Sequence, residues 1–129
     1  GIIGWAAFAA PHKPGSGGGS GTISLVMVTD QNGDGLPNYN DVVTFAVSTS
    51  STTQPYVTVK CSQNGNLVYQ QSSGIFATSL NQNFTLGKTT AWQGGAADCT
   101  ATLQNWDNFA KRGTKGIIDI TSITFHVNA

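Results

Sequence analysis

The stretch PYVTVKCSQNGNLVYQQS, residues 55–72, decides the fold. Its first half alternates apolar and polar residues, which places Val57, Val59 and Cys61 on one face of an extended strand. Asn-Gly at 64–65 supplies the positive backbone φ that a tight hairpin demands, and LVYQQS returns from it. The same two-residue period extends outward in both directions. TISLVMV (22–28) reads as a first strand, and VVTFAVSTS (42–50) puts Val43, Phe45 and Val47 on one face. NFTL (83–86) is a short strand. DCTATLQNW (98–106) turns Cys99, Ala101 and Leu103 inward. In GIIDITSITFHVN (116–128) the apolar phase slips from Ile118/Ile120 to Ile123/Phe125/Val127, which predicts a β-bulge near Thr121–Ser122. About seven short strands at this spacing predict an all-β protein, a β-sandwich. No stretch shows a helical period.

The composition agrees. Only 9% of the 129 residues are charged, against an ordinary quarter, and none is Glu. Six basic and six acidic residues cancel, so no general field draws nucleic acid or an anionic membrane to the chain. No run approaches the roughly 20 apolar residues of a membrane span. The expected partners therefore exclude nucleic acid and membrane.

Three regions follow. Residues 1–14 form an apolar arm, 15–21 a tether of glycine and serine, and 22–129 the sandwich. The arm lacks the basic start of a signal peptide. The absence of an initial Met fits either trimming of a Met before Gly1 or processing of a precursor. A seven-residue Gly/Ser coil spans on the order of 15 Å. That is enough for Ile2, Ile3, Trp5 and Phe8 to reach a groove on a neighbouring subunit. The alternative is that GSGGGSG is an engineered linker carrying a fused peptide.

Three further features bear on function. Cys61 and Cys99 both fall on inward faces, which allows a disulfide or, in a reducing compartment, two buried thiols. DQNGDGLPNYND (30–41) presents oxygens at the calcium-loop positions: Asp30, Asn32, Asp34, the Leu36 carbonyl, Asn38 and Asp41, with Gly35 at the sharp turn. It resembles the calcium loop of dockerins, except for Asp in place of Glu at its last position and strands in place of flanking helices. The resemblance implies a structural Ca2+, and the alternative is an Asx-rich loop that caps its own backbone. NWDNFAKRGTKG (105–116) gathers Trp106, Phe109, Lys111, Arg112 and Lys115 into a basic, aromatic tip suited to a contact surface. Three charges are too few for nucleic-acid recognition.

No catalytic pattern is present. There is no HExxH, GxSxG or P-loop, and only two histidines, one of them in the arm. The expectation is a protein that is not an enzyme.

DGLPNYNDVVTFAVSTS, VTVKCSQNGNLVYQ and WQGGAADCTATL look like successive strands of an immunoglobulin-like domain. Together they resemble the immunoglobulin-like accessory proteins of tailed bacteriophages, particularly those infecting actinobacteria. The resemblance implies a virion-surface protein that decorates capsid or tail, with capsid or tail subunits as partners and a homo-oligomer as a further possibility. The departures are a Cys near where the third-strand Trp stands in antibody domains, and Ala97 in place of the corner tyrosine. A disulfide here would join neighbouring strands of one sheet. The alternative function is a secreted or cell-surface glycan-binding module using the Trp106–Lys115 tip.

Overall fold

The computed structural model describes residues 21–50, 55–74, 83–106 and 117–129. Seven strands occur in them: β1 (Gly21–Thr29), β2 (Val42–Thr49), β3 (Pro55–Gln63), β4 (Asn66–Gly74), β5 (Phe84–Thr85), β6 (Ala97–Trp106) and β7 (Ile117–Val127). They form two antiparallel sheets, ordered β1-β2-β5 and β4-β3-β6-β7. The sandwich expectation holds. β1 starts at Gly21, one residue inside the expected tether. Close packing explains the residue there: a Cβ on Gly21 would lie 2.9 Å from the Ser48 carbonyl and 3.0 Å from Ile120.

The alternating residues of both sheets meet in one core. Ile23, Leu25, Val43 and Phe45 face Val57, Val59, Leu103, Ile123 and Phe125. Phe45 stacks edge-on against Phe84, ring centres 5.5 Å apart. Three bulges among the described residues adjust the pattern. β7 carries the expected one, with Ile120 as the extra residue between Asp119 and Thr121, so Ile120 and Thr121 are both buried. β4 carries another at Val68, which turns both Val68 and Tyr69 inward. The third falls at Val28 in β1.

Cys61 and Cys99 are bonded, as directly opposed residues of β3 and β6 with Cα atoms 4.0 Å apart. The bond therefore lies within one sheet, between neighbouring strands.

The two ends of the sandwich differ. At one end the 30–41 loop, the Asn64–Gly65 hairpin and the 86–96 connection meet the C-terminal residues. Asn38 bridges to Asn128, and the Asn128 carbonyl accepts the Tyr39 N–H at 2.8 Å. Trp92 plugs this end. It is fully buried, and it makes edge-on contacts with Tyr39 and Tyr69. Gly87 at φ +126° lets the chain pass Tyr39, where a Cβ would sit 2.6 Å from the ring. Burial pushes the Tyr69 hydroxyl up to about 12, so the ring stays neutral and donates to Gln71 Oε1 at 2.9 Å. At the opposite end lie Gly21, Pro55, Gly74, Trp106 and Ile117, the described flanks of the N-terminal arm and of the connecting segments. There Gly21 of one sheet packs close to Ile120 of the other, leaving no room for a Cβ.

Candidate functional site

The 30–41 loop is the most elaborated local structure. Asp30 accepts Gly33 N–H at 3.0 Å on Oδ1 and Gly35 N–H on Oδ2 at 2.6 Å. Asp34 Oδ1 accepts Leu36 N–H at 2.9 Å. Asp41 is fully buried; its two oxygens accept Gln31 N–H and Asn38 N–H, both at 2.9 Å. Asn32 Oδ1 accepts Asp34 N–H at 3.2 Å, and its amide donates to Asp34 Oδ2 at 3.3 Å. Positive φ at Gly33, Gly35 and Asn40 lets the chain coil around these side chains. The loop thus caps its own backbone, and the next strand begins where Asp41 O accepts Leu86 N–H at 2.9 Å.

The expected calcium donors are only partly brought together. Among the described residues no three His, Cys, Asp or Glu groups stand close enough to hold a metal. The oxygens that converge are the Asp34 carboxylate and the Leu36 carbonyl, with the Asn38 amide against them. The Asn38 amide stands 2.9 Å from Leu36 O and 3.2 and 3.3 Å from the Asp34 carboxylate oxygens. With nitrogen inward the amide donates to all three. A calcium ion would need the amide turned oxygen-inward, at the loss of those three bonds.

The outer face of the four-stranded sheet is polar. Ser72, Thr58, Gln104 and Asp119 form a hydrogen-bonded row across β4, β3, β6 and β7, at 2.9, 2.7 and 2.9 Å. His126 Nδ1 lies 2.7 Å from Asp98 Oδ1, both side chains exposed. An exposed pair of this kind is worth at most about 1 kcal/mol. Ser62 opposes Asp98 in register, so the carboxylate stands between the serine strand and the imidazole. A nucleophilic triad needs the imidazole in the middle. None of these pairings was visible in the sequence, because they depend on strand register.

The expected partner-binding residues Ile2, Ile3, Trp5, Phe8, Phe109, Lys111 and Arg112 lie outside the described residues, as does the side chain of Trp106. What the fold does fix is their exit. Gly21, Trp106 and Ile117 leave the sandwich at one end, and the 30–41 loop occupies the other.

Comparison with protein-family models, with curated proteins and with solved structures finds no match to this chain. Fold and site therefore define its class: a two-sheet, all-β sandwich with one disulfide.

Proposed function

We propose that this chain is a non-enzymatic structural accessory protein of a bacteriophage virion surface, decorating capsid or tail. Its N-terminal arm, through Ile2, Ile3, Trp5 and Phe8, holds it to neighbouring subunits. The observation that carries this reading is in the sequence: an uncharged arm with Ile2, Ile3, Trp5 and Phe8, joined by a Gly/Ser tether to a sandwich whose described residues build a core from Ile23 to Val127. A tethered apolar arm of this kind can reach a groove on a partner. The sheet orders support an immunoglobulin-like topology, since β1-β2-β5 and β4-β3-β6-β7 correspond to A-B-E and C′-C-F-G. In that topology the arm and the basic tip leave from the same end.

The test is attachment of the full chain to virions of its source. Trp5→Asp combined with Phe8→Asp is expected to abolish co-sedimentation, because each buried large side chain contributes about 1.5–3 kcal/mol before ordering costs. Undiminished binding overturns the reading. Glycan binding that Trp106→Ala removes, without virion attachment, supports a secreted glycan-binding module instead.

The same reading includes a structural calcium in the 30–41 loop, with Asp34, Leu36 O and an oxygen-inward Asn38 as its donors and Asp30 and Asn32 beside them. The ion would stiffen the loop and perform no chemistry. Calcium is expected to raise Tm and a chelator to reverse the rise, with Asp34→Ala removing both effects in a calorimetric scan. An unchanged Tm identifies a loop that relies on its own hydrogen bonds.

A further inference from the structure

The strand edges of the sandwich are unequal. β7 carries Asp119 and His126, β5 is two residues long, and β4 is bulged at Val68 and lined by Asn66, Gln70 and Gln71. β1 has no charged residue and no proline, and among the described residues no strand pairs with its outer side. Natural sheets guard such edges with charge, proline or distortion. Here the only such device is the bulge at Val28, so Gly21–Met27 is a regular, uncharged edge. Val26 and Val28 are 39% and 47% exposed, and Met27 is only partly covered by the core.

We infer that the β1 edge receives the N-terminal arm of a second copy, added as an extra strand. This rests on the reading of the arm as an attachment device and names one surface that takes it. Ile2–Phe8 matches Gly21–Met27 in length, seven residues each, and carries no charge. Alternation in IIGWAAF puts Ile3 and Trp5 on one face and Ile2 and Phe8 on the other. An added edge strand has neighbours on both faces: the margin of the core beside Met27, and the outer surface beside Val26. Main-chain hydrogen bonds supply affinity in this mode, and side chains supply register. The connection argues for a second copy over the chain's own edge. Hairpins that fold a strand directly back on its neighbour most often use about two to five linking residues. Ten residues, 11–20, separate Ala10 from β1, and two of them are prolines. That length lets the arm reach the edge of a second molecule.

The experiment uses two full-length variants and sedimentation velocity. The arm variant is Ile3→Asp with Trp5→Asp. The edge variant is Val26→Lys with Val28→Lys, both at exposed positions so that the core is kept, as an unchanged unfolding temperature verifies. The unaltered chain is expected to assemble as concentration rises, and each variant alone to associate at least about tenfold more weakly, the equivalent of one buried apolar side chain. Mixing the two is expected to restore a one-to-one dimer, because one supplies an intact arm and the other an intact edge. A chain monomeric at every concentration, or a mixture that forms no dimer, overturns the inference. Virion binding separates it from the broader reading. An edge variant that binds virions but forms no dimer with the arm variant, while the arm variant binds no virions, keeps the attachment role and rejects pairing between copies. Equal binding by the arm variant and the unaltered chain rejects the attachment role itself.

Discussion

Trp92→Ala lowers the unfolding free energy by about 3–5 kcal/mol, the range for deleting a buried aromatic side chain. Trp92 has no exposed surface, and its indole Nε1 donates to Gly95 O at 3.0 Å. Its own backbone is equally committed. Its N–H donates to Thr89 Oγ1 at 2.9 Å, and its carbonyl accepts the Tyr39 hydroxyl at 2.9 Å. Thr89 in turn donates to Val68 O at 2.7 Å, which ties the connection to β4. The ring centre lies 5.4 Å from Tyr39 and 5.8 Å from Tyr69, both edge-on. Removing the ring opens a cavity between two tyrosines and leaves the Gly95 carbonyl without its donor. Trp92→Phe loses the hydrogen bond and the packing of the indole's second ring but keeps a six-membered ring between the tyrosines, so it is expected to cost distinctly less than Trp92→Ala. Urea unfolding of the variants checks both, and a cost under about 1 kcal/mol for Trp92→Ala would remove its role as the plug of this end.

Loss of the Cys61–Cys99 bond is the second large effect. The cysteines are 38 residues apart, and closing a loop of that length removes about 4 kcal/mol of denatured-state entropy. Both positions are buried, so Cys61→Ala with Cys99→Ala is the cleaner substitution, leaving no orphaned hydroxyl where serine would. The double variant is expected to unfold at much lower urea concentration than the oxidised protein. Reductant is expected to bring the unaltered protein most of the way to the same midpoint and to leave the variant unmoved. Coincident midpoints for the oxidised protein and the variant would show that β3 and β6 hold each other without the bond.

The strands were legible because alternation is their direct consequence. Val57, Val59 and Cys61 face inward as the spacing of 55–63 requires, and the slip of phase in 116–128 does mark a bulge, found at Ile120. The inward faces of Cys61 and Cys99 allowed a disulfide, and the register of β3 on β6 is what sets them opposite each other. Other features were out of reach for physical reasons. Val68 and Tyr69 are consecutive and both buried, which no two-residue period predicts; the bulge in β4 causes it. Trp92 lies in no periodic run; the sequence reads it as packing under the bend before the Cys99 strand, where it is buried, but its tyrosine partners 53 and 23 residues away were not legible. The loop at 30–41 shows a different difficulty. Oxygens spaced to bind a cation are also spaced to accept the N–H groups of a coiled backbone. Asp30 and Asp41 do the latter with both of their oxygens.

The most direct measurement is a cryo-electron microscopy reconstruction of the source virion, resolving residues 1–14. The account predicts arm density on a neighbouring molecule, with Ile3 and Trp5 buried there and the sandwich projecting outward. Arms packed on their own sandwich, or particles that carry no such protein, would contradict it.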